Sequence, residues 1–430
     1  MVENGSNLNV AKIKVIGVGG AGNNAVNRMI ELGITSAEFA SVNTDKQALM
    51  LSYCDPENRH QIGAIETKGL GAGAEPDIGE KAAEENKEEI EKMVEGVDLL
   101  FIAAGMGGGT GTGAAPVIAK IAKEKGCLTV AVVTKPFSFE GKRREENSKK
   151  GIANLIKYVD TIIIIPNDKL LEALPPDTPF PEALKYADDT LRQGICGIAD
   201  LIATPSMINL DFADVRTIIK NQGLAHMGVG YAKGENRIVE AVRQAVSSPL
   251  LETTIEGASG VILNVTGGKD ISMGQVNEAA RLVQQVIDPS ANIIFGVNIN
   301  QNLTEEVIIT LIATGFNKAE NDKVANPNGI PSSQSAQFAP FTPVAPQPMG
   351  VPTQTSNQGG YVSSQGFPMG VIVEPPKPTA QPVQQPAQPY NGQYAAQPQP
   401  EAQPVQPTQP QEEVKEEKKG LPGWLRFLKK

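Results

Sequence analysis

Aromatic side chains make up only 5% of the 430 residues, with one Trp and two His. No run approaches the ~18 consecutive apolar residues of a membrane-spanning helix. The strongest, Thr161 to Ile165, has strand length and is closed by Pro166. The start, Met1-Val2-Glu3-Asn4-Gly5, has neither a basic stretch nor an apolar one, so no secretory leader is expected. Cys54, Cys127 and Cys196 are odd in number and far apart, which excludes a disulfide framework and a cysteine zinc site. They read as small apolar fillers, and His60 and His226 as structural or surface residues, so no protein metal ligands are expected. Positive charge is in deficit: Lys and Arg total 38 against 48 Asp and Glu, a net charge of -10. That argues against a nucleic-acid binder. No Gly-x-x-x-x-Gly-Lys-Ser/Thr segment occurs, which argues against a P-loop enzyme. What remains is a soluble, cytoplasmic protein of two or three domains.

Up to about residue 318, strands and helices alternate. Candidate strands are Ile13–Ile16, Phe39–Asn43, Leu99–Ala104, Leu128–Val133 and Thr161–Ile165, with helices near Asn24–Leu32, Gly79–Glu95 and Ala114–Lys125 between them. Continuous apolar strands alternating with helices predict an α/β fold with a parallel sheet covered on both faces. A long helix is predicted from Glu182 to Ile202, about 30 Å at ~1.5 Å per residue, with Pro205 ending it. A second α+β unit follows, with strands near Leu224–Tyr231, Val261–Thr266, Ile293–Val297 and Val307–Ile312 and helices near Glu235–Val246 and Gln275–Ile287. From residue 319 to 411 Pro, Gln, Ala, Ser and Thr dominate, a composition that cannot bury enough apolar surface to fold. The expected division is therefore a flexible start (1–10), a nucleotide domain (11–180), a central helix and following loop (181–222), a second domain (223–318), a disordered linker (319–411) and a terminal peptide (412–430).

Two glycine loops carry the chemistry. Gly17-Val18-Gly19-Gly20-Ala21-Gly22 follows a strand and opens a helix, the dinucleotide fingerprint, in which glycines let backbone approach phosphate at a helix N-terminus. Asp45 lies where an acid could hold a ribose. Alone, this loop fits NAD, FAD or another nucleotide. The second, Gly105 to Gly113, has six glycines in nine residues, again between an apolar strand and a helix. Such density costs chain entropy and calls for a compensating anion wrapped by free N–H groups. Two such loops at one sheet edge suggest several phosphates held from two sides, hence a nucleoside triphosphate. Gly69-Leu70-Gly71-Ala72-Gly73-Ala74 alone reads as an ordinary loop.

Gly107-Gly108-Gly109-Thr110-Gly111-Thr112-Gly113 resembles the signature loop of the tubulin superfamily. With Val18 to Asn24, Val42-Asn43-Thr44-Asp45, Pro136 to Gly141 with Arg144, Ile165-Pro166-Asn167-Asp168 and Asn209 to Val215, residues 10–317 resemble its FtsZ cell-division branch in bacteria. The resemblance implies a Rossmann-like GTPase domain, GTP/GDP with Mg²⁺ held mainly through the phosphates, and head-to-tail self-assembly. It implies that Gly20, Ala21, Gly22, Asn23, Asn24 and Gly107, Gly108, Gly109, Thr110, Gly111, Thr112 face the phosphates. Ala72 and Gly73 match a γ-phosphate-sensing loop. Glu140 and Arg144 fall at the ribose and phosphate, Asn167 and Asp188 at the guanine edge, and Leu184 near the base.

Asp211 and Asp214 follow the long helix, whose start would meet the base. A rigid helix of that length sets them on the far side of the domain, out of reach of a γ-phosphate in the same subunit but within reach of the next one in a stack, and such an unclosed contact makes a filament. The resemblance implies that they polarise the attacking water, helped by Asn209. Without it, both acids read as N-caps of the segment after Phe212. The terminal segment, with Leu421, Pro422, Trp424, Leu425 and Arg426, is similar to the family's adaptor-binding peptide, though its Leu and Trp stand where Ile and Phe are usual. It implies membrane-tethering adaptors and regulatory division proteins as partners, and membrane contact that is weak or indirect. The expected activity is a GTPase building the cytokinetic ring at mid-cell. Alternatives are an NAD-dependent Rossmann oxidoreductase and a tubulin-like filament for DNA segregation.

Overall fold

A computed structural model describes residues 11–316, apart from 173, 176, 204–210, 249, 252–254 and 302. The first half runs β1 (Ile13–Val18), α1 (Gly19–Glu31), β2 (Glu38–Asn43), α2 (Lys46–Met50), β3 (Arg59–Gln61), α3 (Ala64–Thr67), α4 (Pro76–Glu85) and α5 (Lys87–Met93). Then come β4 (Leu99–Gly105), α6 (Thr110–Glu124), β5 (Leu128–Lys135), α7 (Lys142–Leu155), β6 (Thr161–Pro166) and α8 (Asn167–Glu172). The long helix α9 (Phe180–Ala203) and α10 (Phe212–Ile219) lead into β7 (Gly223–Lys233), α11 (Arg237–Val246), β8 (Gly260–Gly267), α12 (Met273–Gln284), β9 (Asn292–Ile299) and β10 (Glu306–Thr314).

The strands form one sheet in the order β3-β2-β1-β4-β5-β6-β7-β10-β8-β9. From β3 to β7 every pairing is parallel, β10 is antiparallel to β7 and β8, and β9 returns parallel to β8. The first six follow the doubly wound order, in which the chain's direction of winding reverses between β1 and β4 and opens a crevice at their carboxyl ends. The apolar strands alternate between two cores. Phe101, Val130, Val132 and Ile163 share one with residues of α1 and α9. Leu100, Ile102, Val133 and Ile164 share the other with residues of α5, α6 and α7. Burial at this level, with Phe101, Leu100 and Ile102 wholly inaccessible, is worth roughly 1.5–3 kcal/mol per large side chain. A third core fills the space between the β7–β10 strands and α11 and α12.

Two local expectations change, and one helix is additional. The charged segment expected as one helix from Gly79 to Glu95 is two, α4 and α5. Asn86 leaves helical geometry at φ −105°, its Oδ1 accepting from Gly63 N at 2.9 Å and its Nδ2 donating to Glu89 at 3.0 Å. The helices after the glycine loops start earlier than expected, at Gly19 and Thr110, because the last loop residues wind into the first turn. The strongly polar Lys142–Leu155 is a full helix with one buried stripe of Ser148, Gly151, Ile152 and Leu155. Cys54, Cys127 and Cys196 are buried free thiols. His226 is buried with its ring edge against Phe316, while His60 Nδ1 meets Glu89 at 2.8 Å. Among the described residues no helix is long and apolar enough to cross a membrane.

Candidate nucleotide-binding site

The two glycine loops leave adjacent strands, Val18 of β1 lying in register with Ala104 of β4. They therefore flank the crevice at the point where winding reverses, where ligands of open α/β sheets sit. Neither α1 nor α6 has a side chain capping its N-terminus, and neither has an acid in its first turn. Both ends keep unpaired N–H groups and the positive end of the helix dipole for an anion.

The glycines divide by what they face. A Cβ on Gly22 would lie 2.2 Å from Ala103 O, and one on Gly113 would lie 2.0 Å from Pro76 O. These residues let α1 lie against β4 and α4 against α6. At Gly20, Gly108 and Gly73 a Cβ would meet nothing within 4 Å. Those three, from three separate loops, line open space.

The other candidates sort the same way. Asn24 is exposed and Ala21 half-buried, whereas Gly22, Asn23, Ala72, Gly107, Gly109, Thr110, Gly111 and Thr112 are buried. Asn23 is a fastening: its Nδ2 donates to Gly17 O at 2.8 Å and its Oδ1 accepts from Asn43 Nδ2 at 2.7 Å. Thr112 Oγ1 accepts from Gly107 N at 2.8 Å and so supports the second loop from within. Thr110 Oγ1 meets Thr44 Oγ1 at 2.7 Å, tying α6 to the end of β2. The roles of Asn43 and Thr44 were not read from the sequence, although their place at the carboxyl end of β2 was the available signal. Asp45 caps α2, accepting from Gln47 N at 2.8 Å and Ala48 N at 3.2 Å, so its carboxylate already has an occupation other than a ribose. The Gly69–Ala74 loop takes left-handed backbone at Gly69, Gly71, Gly73 and even Ala74. Asn147 Nδ2 and the Arg143–Glu75 ion pair fasten it to α7.

On the far wall, Glu140 pairs with Arg144 in the first turn of α7 and also accepts from Phe137 N at 2.9 Å. Asn167, at the end of β6, is buried, and its Oδ1 has no hydrogen-bond partner. An orphaned buried acceptor costs about 1–3 kcal/mol, and a ligand N–H is one way to satisfy it. Leu184 and Asp188 lie one turn apart on α9, Leu184 exposed and Asp188 half-buried. Burial, then the neighbouring Asp189, raise the Asp188 pKa to about 7, against the opposing pull of Arg28. Asp189 itself is tied to Arg192 at 2.7 Å.

Asp211 and Asp214 lie elsewhere. Both are exposed at the start of α10. Asp211 occupies the N-cap position, but its side chain makes no capping bond. The far end of α10 is fastened to the opposite edge of the sheet: Thr161 Oγ1, at the first residue of β6, donates to Ile219 O at 2.5 Å. The crevice lies at the strands' other ends, a strand length of about 20 Å away. Asn209, the linker 319–411 and the peptide with Leu421, Pro422, Trp424, Leu425 and Arg426 lie outside the described residues. Among the described residues no three His, Cys, Asp or Glu gather as a metal cage.

Comparison with known proteins gives a family. The model for the GTPase domain of the Tubulin/FtsZ family matches residues 12–175, and that for the C-terminal domain of the FtsZ family matches residues 223–317. This chain belongs to the tubulin/FtsZ family. Among solved structures it is similar to an empty FtsZ dimer from M. jannaschii, at 44% identity and TM-score 0.69, covering 72% of this chain and 89% of that one. A mutant FtsZ from the same organism gives 44% identity and TM-score 0.70, covering 72% and 93%. The CetZ2 protofilament of Haloferax volcanii with GTPγS bound, at 20% identity and TM-score 0.61, covering 72% and 95%, shares the fold. The chain is thus a member of a filament-forming GTPase family.

Proposed function

We propose that this chain binds GTP in the crevice between β1 and β4 and hydrolyses it only when a second copy stacks on that face. The observation that carries this reading is the separation of parts. The uncapped helix ends and open glycines sit at one edge of the sheet, and the exposed carboxylates Asp211 and Asp214 belong to a helix fastened at the other. Within one chain they cannot act on one phosphate. Stacked head to tail, each copy offers its acids to its neighbour's nucleotide.

In this reading Gly20, Ala21, Gly22, Asn24, Ala72, Gly73 and the Gly107–Thr112 loop hold the phosphates through backbone N–H groups, with Asn23 and Thr112 keeping those loops in shape. Arg144, held by Glu140, adds a positive charge at the ribose side. Asn167 and Asp188 read the guanine edge, beside Leu184. Asp211 and Asp214, with Asn209, orient the attacking water. Mg²⁺ carried on the phosphates would neutralise charge that develops during transfer. In a bacterial cytoplasm such filaments would form the cytokinetic ring at mid-cell, and the terminal peptide 412–430, on its linker, would bind membrane-tethering and regulatory division proteins.

The test is turnover per subunit against protein concentration, with sedimentation or electron microscopy of the same samples with and without GTP. Turnover should vanish on dilution below the assembly threshold. Asp211→Ala and Asp214→Ala should bind GTP within about twofold of wild type yet lose roughly 10²–10³ in rate. Full turnover by isolated subunits at nanomolar concentration would overturn the shared site.

A further inference from the structure

The sheet ends at β9, and among the described residues no strand pairs with its outer edge. Beside that edge runs α12. One face of the helix, with Ala279 and Val283, enters the third core. The next face carries Met273, Val276, Ala280 and Gln284, spaced to form a stripe along the helix. With Ile293 and Phe295, alternate residues on one face of β9, this stripe walls a groove of about 370 Å³. Its rim is apolar and open: Met273 is 75% and Phe295 39% exposed. No step of nucleotide binding or hydrolysis in the reading above uses this groove.

A stable contact between two folded copies buries ~800 Å² on each and calls for a broad face. A narrow groove instead takes a few side chains of a peptide. This chain carries such a peptide. Leu421, Trp424, Leu425 and Leu428 stand at i, i+3, i+4 and i+7, the anchor spacing of a helix laid in a groove. Pro422 suits a first helical turn, and with Gly423 it disfavours pairing as a strand along β9. Arg426 and Lys429 fall outside the apolar stripe. That division matters, because Arg281 lines the groove and would repel a basic face.

The tether starts beside the groove. Thr314, the last residue of β10, pairs with Gly260 of β8, which pairs with Asn292 at the head of β9. At about 4.8 Å between strands, the end of β10 lies on the order of 10 Å from the start of β9. The roughly 100 residues between Phe316 and Leu421 span on the order of 55 Å as a coil. Such a tether holds its far end at on the order of 1 mM around the point of attachment, so a contact of only about 0.1 mM is occupied some ten to one.

We propose that residues 421–428 dock as a short amphipathic helix in the groove between α12 and β9 of their own chain. Docking turns inward the side chains expected to bind adaptors, so a partner's apparent affinity falls by the undocked fraction. The proposal stands independently of the nucleotide reading.

Trp424 is the only Trp in the chain, so its fluorescence reports on this segment alone. The test compares acrylamide quenching of the full chain, without nucleotide, with that of a free peptide 412–430. Quenching in the full chain should be at least about threefold weaker, and unchanged on roughly tenfold dilution, as an intramolecular contact requires. Met273→Glu puts a charge in the groove at the first turn of α12, where the helix dipole favours an acid. It should melt like wild type and quench like the peptide. Phe295→Ser, on the facing strand, is a second groove variant with the same expected result. Leu428→Glu should also free Trp424 while leaving the groove intact. Equal quenching of wild type and peptide would overturn the proposal. So would protection that survives both groove variants, which would place the segment elsewhere, or protection lost on dilution, which would make the occupant another copy's tail.

Discussion

Asp188 allows a prediction in which function and stability oppose each other. Its carboxyl moves from 3.8 to about 7 through burial and the adjacent Asp189. The native chain therefore holds this proton more tightly than the unfolded chain does. The associated stability is complete below about pH 4 and is lost as pH rises through about 7. At pH 8 the ionised group costs on the order of 4 kcal/mol, at ~1.36 kcal/mol per pKa unit. Asp188→Asn keeps the shape and removes the charge. Without nucleotide, the excess of its melting temperature over wild type should grow by roughly 5 °C between pH 5 and pH 8, the ~2.7 kcal/mol lost over that interval at about 2 °C per kcal/mol for a chain of this size. Asp200, whose pKa burial also raises, is common to both proteins and cancels. The assay is a pair of pH-resolved melting series at low protein concentration. A constant difference between the two proteins across that range, or a variant less stable at pH 8, would refute the claim that Asp188 is a buried charge tolerated for its ligand.

Three further perturbations separate cradle from scaffold. Gly108→Ala places a methyl in open space, so melting should move by under about 1 kcal/mol while triphosphate affinity falls at least about tenfold in competition with a fluorescent GTP analogue. Gly113→Ala drives a Cβ to 2.0 Å from Pro76 O; prising α4 from α6 should cost about 3 kcal/mol or more in denaturant unfolding. Arg144→Ala loses an exposed ion pair worth ~0–1 kcal/mol, so stability should hold while GTP affinity drops about tenfold.

The parallel half of the fold was legible because its strands are buried on both faces and read as unbroken apolar runs, and both glycine loops directly follow such runs. Where the sequence misled, local chemistry competed with periodicity. Asn86 interrupts an otherwise helical charge pattern by bonding Gly63, 23 residues away, and no local pattern signals that. Helix α7 was missed because its buried stripe is made of Ser148 and Gly151 as well as Ile152 and Leu155. Within the site, the glycines looked alike as letters. Only packing separates Gly20 and Gly108, which border empty space, from Gly22 and Gly113, which are pressed against backbone carbonyls. The capping bonds of Asp45 and the Thr44–Thr110 contact are likewise three-dimensional facts.

The placement of glycine loops and acids at opposite sheet edges gives any row of these chains a direction. In the proposed stacking, one tip carries a nucleotide with no carboxylates over it. That fuel is uncleaved and free to swap with the solution. The other tip presents bare Asp211 and Asp214 with nothing to act on, while every nucleotide in between is sealed and ageing. The two tips therefore differ chemically without any further component, and growth and shrinkage have a built-in reason to proceed unequally.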